Sequence, residues 1–143
     1  MFKVGIIGAG WIAEKMAAAL APLEDYCVYA IASRSIEKAQ SFAERWNVAK
    51  AYGSYEEMVA DEEVDLVYIA TPHSHHFPHA MLALKAGKPV LVEKAFTANE
   101  AEAQELIETA HSKGLFITEA IWTRYMPLSH KIKEIMESGI IGE

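Results

Sequence analysis

The chain is poor in cysteine and in basic residues, and each shortage argues against a class of protein. Its 143 residues include one cysteine, Cys27, which cannot form an internal disulfide. Because Cys27 lies in an apolar run, we expect a buried thiol in a reducing compartment. The 13 Lys and Arg against 20 Asp and Glu give a net charge of −7. This balance argues against a nucleic-acid partner, since phosphate binding needs clustered cations.

Long hydrophobic runs are also missing, because no apolar stretch approaches the roughly 20 residues that a membrane span requires. The N-terminus does resemble a secretory signal, since Lys3 precedes a mostly apolar segment and residues 19–21 (ALA) resemble a cleavage site. Glu14 and Lys15 interrupt that segment, however, and a glycine turn explains it better. We therefore predict a soluble cytoplasmic protein without a membrane partner.

Residues 3–13 (KVGIIGAGWIA) carry the most informative pattern, in which an apolar strand enters a glycine turn and a helical pattern begins at once. This is the G-x-G-x-x-A form of the dinucleotide fingerprint. Gly8 permits the tight turn, Gly10 lets the backbone approach a pyrophosphate, and Ala13 lets the helix lie close to the strand. The phosphates would lie at the helix N-terminus, where backbone N–H groups lack partners.

The rest of the chain alternates between strand and helix patterns. We predict strands at residues 4–7, 26–32, 49–52, 64–70, 89–93 and 115–119. Helix starts are predicted at the N-cap Ser35 and at capping boxes over residues 54–57 and 97–100. Helix ends are predicted near Pro22, Gly87 and Gly114, and a last helix over residues 128–138. The helix that follows residues 97–100 is expected to pack Leu106 and Ile107 against the sheet. This pattern predicts an α/β protein with a doubly wound parallel sheet, the NAD(P)-binding Rossmann fold, in strand order 3-2-1-4-5-6. We predict one dinucleotide-binding domain over residues 1–143.

Ligands of such sheets bind outside the C-terminal ends of the strands, so the residues that follow each strand are the site candidates. These are residues 8–12, 33–35, 71–73, 93–94 and 120–124. The second strand ends at Ser33 and Arg34 without the carboxylate that an NAD site normally has there. Arg34 suits a 2′-phosphate, and Lys38 lies one helical turn further on. This favours NADP, with NAD possible; the alternative is a solvated arginine in a capping loop.

Two further groups have competing interpretations. His73, His75, His76 and His79 resemble a zinc cluster, but no Cys or carboxylate completes a ligand set, and we predict no metal site. We expect loop and first-turn histidines to line the cofactor cleft, and His75 or His79 to be solvated. Lys94 could assist proton transfer from a reacting hydroxyl. The residues alone slightly favour the alternative, an ordinary surface ion pair with Glu93.

Five ordered motifs together resemble one family. They are residues 5–13 (GIIGAGWIA), 32–35 (ASRS), 71–76 (TPHSHH), 86–94 (AGKPVLVEK) and 119–127 (EAIWTRYMP). The chain is similar over its whole length to the glucose–fructose oxidoreductase / inositol 2-dehydrogenase family of NAD(P)-dependent oxidoreductases, and residues 119–127 most resemble its dimeric dihydrodiol dehydrogenase branch.

The resemblance assigns roles to the matching residues. It implies a pyrophosphate turn at Gly8, Gly10, Trp11 and Ile12, and binding of the adenosine ribose phosphate by Ser33 and Arg34. It implies cofactor-lining segments at Thr71, Pro72, His73 and His76, at Glu93 and Lys94, and at Trp122 and Arg124. Lys94 would lie near the nicotinamide and substrate as the catalytic residue. Ala95 departs from the family pattern, which has proline there.

The resemblance also implies an activity, which is hydride transfer between a nicotinamide cofactor and a secondary alcohol of a sugar, cyclitol or diol. Family members are more than twice as long, and their second domain carries the substrate pocket, a further acid/base group and the oligomer interface. We therefore expect a fragment that binds cofactor without turnover, and a homo-oligomeric full-length protein. The alternative function is a non-catalytic nucleotide-sensing module. A methyltransferase is disfavoured because the second strand lacks an acidic tip.

Overall fold

One parallel six-stranded sheet forms the centre of the protein. The computed structural model describes residues 1–142, and the strands lie in the order β3-β2-β1-β4-β5-β6. They are β1 Phe2–Ile7, β2 Tyr26–Ala32, β3 Lys50–Tyr52, β4 Leu66–Ile69, β5 Val90–Val92 and β6 Ile117–Glu119. The predicted fold class and strand order are confirmed, although several strands are shorter than predicted.

Helices cover both faces of the sheet. They are α1 Trp11–Leu20, α2 Ile36–Trp46, α3 Tyr55–Val59, α4 His76–Lys85, α5 Glu100–Ser112 and α6 Pro127–Glu137, with 3-10 turns at His73–His75 and Trp122–Tyr125. Alternate strand residues point to opposite faces. Ile7 and Ile69 therefore pack in the core under α3, α4 and α5, whereas Ile6 and Tyr68 pack in the core under α1 and α2.

The helix ends mostly follow their sequence signals. Ser35 caps α2 by accepting a hydrogen bond from the amide of Lys38, and Ser54 caps α3 by accepting one from Glu57. Gly87 and Gly114 follow the C-caps of α4 and α5 with φ of 78° and 65°, a conformation in which glycine carries no steric penalty.

Three local predictions were wrong. The capping box of α5 does not begin at Thr97, because Asn99 is the N-cap and accepts the hydrogen bond from the amide of Glu102. The hydroxyl of Thr97 instead donates to the carbonyl of Asn99. Ile107 does not face the sheet, since 53% of it is exposed beside the buried Leu106. Cys27 is half-buried rather than buried.

One sheet face is left partly open beyond α1. An apolar groove of about 570 Å³ lies there between α1, the sheet and the segment after β6, lined among others by Met16, Leu91, Phe116, Trp122 and Tyr125. The last helix, α6, packs mainly on the 3-10 turn that precedes it. Between residues 1 and 142, no helix is both long enough and apolar enough to cross a bilayer.

We expect α6 to be the least stable helix of the chain. None of its residues is buried, and Leu128, Ile132 and Met136 on it are each at least half exposed. A helix of 11 residues that lacks tertiary packing is marginal in water. Hydrogen–deuterium exchange of the amides should therefore be faster in α6 than in α4 or α5. Equal protection of α6 and α5 would contradict this expectation.

Candidate functional site

The loops after the strands lie side by side because hydrogen bonding continues beyond the strand ends. The amide of Gly8 donates to the carbonyl of Ala32 at 2.8 Å, and the amide of Ala70 donates to Ile7 at 2.9 Å. The amide of Ala120 likewise donates to Val92 at 2.7 Å. These bonds bring the predicted clusters to one edge of the sheet.

The glycine turn joins β1 directly to α1. Gly8 has a φ of 102°, and a Cβ there would lie 2.9 Å from the carbonyl oxygen of Ala70. Gly10 is the N-cap of α1 and offers no side-chain hydrogen bond to the helix, so the first amides of α1 are left for a ligand or for water. Ala13 is fully buried, which lets α1 lie close to the sheet.

A cavity of about 230 Å³ opens beside this turn, and we call it the arginine cavity. It is lined by Gly8, Ala9, Gly10, Ser33, Arg34, Lys38, Tyr55, Ala70, Thr71, Pro72, His75 and His79. Seven of the predicted cofactor-binding residues thus share one cavity. Arg34 and Lys38 bring two cations to it, and no carboxylate is among these lining residues. The arrangement suits an anionic group.

Ser33 and Arg34, which follow β2, form one wall of this cavity. Ser33 is only 9% exposed, and its hydroxyl oxygen accepts a hydrogen bond from the amide of Ser35 at 3.4 Å. The hydroxyl of Ser35 caps α2 and also donates to Glu37 at 2.6 Å. That hydrogen bond lowers the pKa of Glu37. Ser35 is therefore engaged by its own helix, whereas Arg34 is exposed.

Sequence reasoning missed Tyr55 and misjudged His79. His79 is half-buried, and its Nδ1 lies 3.0 Å from the hydroxyl oxygen of Thr71. The expectation of a solvated side chain is therefore wrong for His79, although His75 is exposed. Tyr55 reaches the cavity from α3, whose position depends on tertiary packing. The position of His79 in the helix after β4 was the signal that could have marked it.

In the described part of the chain, no three His, Cys, Asp or Glu side chains form a potential metal site.

A second cavity, of about 300 Å³, lies on the other side of the turn, and we call it the lysine cavity. Its lining is formed by Trp11, Ile12, Thr71, His73, His76, Glu93, Lys94 and Trp122. All eight are predicted site residues. Lys94 and Trp122 are exposed, so the cavity is open to a molecule approaching from solvent. Arg124 is exposed in the turn after β6 and lines neither cavity.

Glu93 is held by the Tyr68 hydroxyl and the Lys94 backbone amide rather than by the Lys94 ammonium. The hydroxyl of Tyr68 donates a short hydrogen bond to Oε1 of Glu93, and the amide of Lys94 donates to Oε2 at 3.2 Å. Burial and the Glu93 carboxylate raise the pKa of Tyr68, which stays protonated as a donor. The surface ion pair between Glu93 and Lys94 does not form, and the Lys94 ammonium has no salt-bridge partner within residues 1–142.

His76 links the two loops that border the lysine cavity. Its ring is fully buried, with Nε2 at 2.9 Å from the carbonyl oxygen of Thr71 and Nδ1 at 2.7 Å from that of Ala95. Ala95 follows Lys94 through a cis peptide bond. His76 therefore joins the loop after β4 to the segment that carries Lys94, as well as lining the cavity.

The residues present fit a dinucleotide. Nothing lies within 4 Å of the position of a Cβ at Gly10, so backbone amides can be approached there. Arg34 and Lys38 supply charge on one side of the turn, while the two exposed indoles of Trp11 and Trp122 flank the lysine side. One extended ligand could therefore cross the glycine turn with an anionic end in the arginine cavity.

Comparison with known proteins decides the family. Residues 2–120 match the model of an oxidoreductase family with an NAD-binding Rossmann fold, GFO/IDH/MocA. The chain belongs to this family. As a GFO/IDH/MocA chain, it is an NAD(P)-binding Rossmann domain, and the predicted resemblance is confirmed.

Two curated relatives of this GFO/IDH/MocA chain are a xylose dehydrogenase and a dihydrodiol dehydrogenase. It is 51% identical over 152 residues to the NADP(+)-dependent D-xylose 1-dehydrogenase of Hypocrea jecorina, covering 98% of this chain and 39% of that protein. It is 43% identical over 141 residues to trans-1,2-dihydrobenzene-1,2-diol dehydrogenase of Mus musculus, covering 97% and 42%. The chain thus spans about two fifths of the length of these relatives.

Solved structures of similar proteins have the same fold. A 3-ketoreductase from Actinomadura kijaniata in complex with NADP superposes with a TM-score of 0.91 at 32% identity, covering 99% of this chain and 45% of that one. An NAD binding oxidoreductase from Klebsiella pneumoniae gives a TM-score of 0.84 at 32% identity, with 96% and 39% covered. Both matches extend over nearly the whole of this GFO/IDH/MocA chain.

Proposed function

We propose that this chain is the NADP-binding half of an oxidoreductase. The arginine cavity carries the proposal, because Arg34 and Lys38 line it together with the glycine turn, and none of its lining residues is acidic. A carboxylate at the end of β2 would accept hydrogen bonds from the ribose hydroxyls of NAD and repel a 2′-phosphate. A guanidinium instead forms charge-assisted hydrogen bonds with a phosphate. The xylose dehydrogenase and 3-ketoreductase relatives, which use or bind NADP, support the same choice.

The lysine cavity is proposed to hold the reacting end of the cofactor. When bound there, the nicotinamide would accept or supply the hydride. Lys94 is the proposed catalytic residue, since its ammonium is exposed and lacks a carboxylate partner within the described residues. It can donate a hydrogen bond to the reacting hydroxyl and favour loss of its proton. Glu93, fixed by Tyr68, holds the amide of Lys94 in place.

The proposed reaction is hydride transfer to or from a secondary alcohol of a sugar, cyclitol or diol. The xylose and dihydrodiol dehydrogenases named above support this substrate class. We propose that substrate selection and homo-oligomer contacts lie in the part of these relatives that this chain does not span, and that the chain alone binds cofactor without turnover. A cytoplasmic location stays a prediction, consistent with one half-buried cysteine.

Arg34→Ala tests the cofactor assignment. We expect the Kd for NADP to rise by about 10- to 100-fold, because a charge-assisted contact with the 2′-phosphate is lost. The Kd for NAD should change by less than about threefold, since NAD lacks that group. Calorimetric titration of wild type and variant with both nucleotides measures this.

Arg45→Ala is the matched control. Arg45 lies on α2, pairs with Glu14 of α1 and lines neither cavity, so both affinities should stay at the wild-type value. Equal wild-type affinities for NADP and NAD would refute the assignment to NADP. Absence of binding to either nucleotide would refute the proposed function itself.

A further inference from the structure

The imidazole of His79 is fixed by three separate elements of the arginine cavity. Its Nδ1 lies 3.0 Å from the hydroxyl oxygen of Thr71, which follows β4. The ring of Tyr55, at the start of α3, meets it edge-on with centroids 4.6 Å apart. The ring of His75 lies 5.6 Å away in the turn before α4. These three contacts restrict the orientation of the His79 ring in the folded protein.

The other ring nitrogen of His79 is available to a ligand. Nε2 has no hydrogen-bond partner among residues 1–142. In the same part of the chain, no fully buried side-chain nitrogen or oxygen lacks a partner, so Nε2 must reach solvent. Because His79 lines the arginine cavity, this nitrogen offers one directed hydrogen bond to whatever enters the cavity.

His79 is suited to a neutral ligand group rather than to phosphate. Burial, together with the nearby His75, His76 and Arg34, lowers the pKa of His79 to about 4, and Glu56 only partly opposes this shift. The ring is therefore uncharged at neutral pH, with one nitrogen as donor and the other as acceptor. Arg34 and Lys38 already supply cations for an anion. A neutral heterocycle with hydrogen-bonding groups on its edge is the complementary partner for His79.

We infer that His79 is a specificity-determining residue for the nucleobase of the cofactor. Its Nε2 forms a hydrogen bond with the edge of adenine that carries the exocyclic amino group, while Thr71 and Tyr55 fix the ring. This inference rests on the proposed function, because it requires the adenosine end of the nucleotide in the arginine cavity. His79 would thus recognise the nucleobase, whereas the other groups of the proposed site bind phosphate and ribose.

Selectivity between adenine and unsubstituted purine tests this role. Nicotinamide purine dinucleotide phosphate lacks the exocyclic amino group and keeps the ring nitrogens as acceptors. It therefore removes only the amino donor, from which Nε2 of His79 accepts while Nδ1 donates to the Thr71 hydroxyl. We expect wild type to prefer NADP over this analogue by about tenfold. His79→Phe keeps an aromatic ring beside Tyr55 but should reduce the preference to within about twofold.

His111→Phe is the matched control, since His111 is an exposed histidine of α5 that lines neither cavity. It should keep the wild-type preference. A preference unchanged by His79→Phe, or equal wild-type binding of the two dinucleotides, would overturn the inference while leaving the proposed function intact. Binding of neither dinucleotide would overturn both.

The wild-type protein provides a second readout that does not depend on the stability of a variant. In nitrogen-15 spectra of labelled imidazoles, the Nε2 resonance of His79 should shift on addition of 2′,5′-ADP. Nicotinamide mononucleotide, which lacks adenine, should leave it in place. If 2′,5′-ADP binds but does not move the Nε2 resonance, His79 does not contact the base.

Discussion

Gly10→Ala is expected to remove most of the affinity for NADP with only a small decrease in the melting temperature, since Ala is a weaker N-cap than Gly. Gly10 has extended backbone angles, φ −99° and ψ −174°, that any residue can adopt. No atom lies within 4 Å of the added Cβ, so the unliganded fold should not be disturbed. The Cβ would instead occupy the space through which the pyrophosphate approaches the backbone. We expect a rise in Kd of at least about 100-fold, measured by calorimetry.

Gly8→Ala is the informative counterpart, because it places the same methyl group two residues earlier. There φ is 102°, and the Cβ would lie 2.9 Å from the carbonyl oxygen of Ala70 and 3.1 Å from Cγ2 of Thr71. Strain and overlap should lower the free energy of unfolding by about 2–4 kcal/mol. Thermal and denaturant unfolding distinguish the two variants. Wild-type NADP affinity in Gly10→Ala would show that phosphate does not bind at this turn.

Asp61→Asn is expected to cause a clear loss of stability at a site remote from the glycine turn. The Asp61 side chain is 8% exposed, and its Oδ2 accepts hydrogen bonds from Lys50 at 2.8 Å and from Tyr52 at 2.7 Å. Its Oδ1 accepts one from the amide of Glu63 at 3.1 Å. Because Lys50 is 43% exposed and stays solvated, we expect a loss of about 2–3 kcal/mol in the free energy of unfolding.

The same carboxylate should make stability depend on pH. Burial alone would raise the pKa of Asp61, but hydrogen bonds from Lys50, Tyr52 and Glu63 hold it at about 2, below the usual 3.8. A lowered carboxylate pKa contributes stability that is complete above the unfolded value and is lost as the pH falls. The wild-type free energy of unfolding should therefore fall between about pH 4 and pH 2, and the curve of Asp61→Asn should be flatter.

Glu62→Gln is the control for Asp61→Asn, since Glu62 is an exposed carboxylate in the same turn. It should keep the stability and the pH profile of wild type. Asp61 precedes β4, at the N-terminal ends of the strands, so Asp61→Asn should still bind NADP at neutral pH. Identical acid unfolding of Asp61→Asn and wild type would refute this role of Asp61.

The order of the sheet could be predicted because it depends on signals that are local in sequence. The glycine turn fixes β1, the remaining alternation of strands and helices follows from apolar patterns, and right-handed crossovers leave few topologies. Local ambiguity explains the failures. Both Thr97 and Asn99 are good cap residues, and the choice between them depends on which amide each side chain reaches.

Some residues of the candidate site could likewise be predicted from the sequence, and others could not. Residues directly after strands, such as Arg34 and Lys94, could be predicted to share an edge because parallel strands end together. Tyr55 could not, since α3 reaches the arginine cavity only through its packing on the sheet. The hydrogen bond that holds Glu93 could not be predicted either, because its donor Tyr68 lies one residue before the end of β4, a strand whose other residues are all apolar.

Thr71 lies in both cavities, and this shared wall has a thermodynamic consequence. Its hydroxyl contacts His79 on one side, while its carbonyl oxygen contacts His76, which in turn contacts the carbonyl of Ala95 beside Lys94. Thr71 and His76 thus form a continuous chain of contacts between the two cavities. If these contacts couple the two cavities, the factor by which one half of the proposed dinucleotide changes the affinity for the other half is the same in both directions.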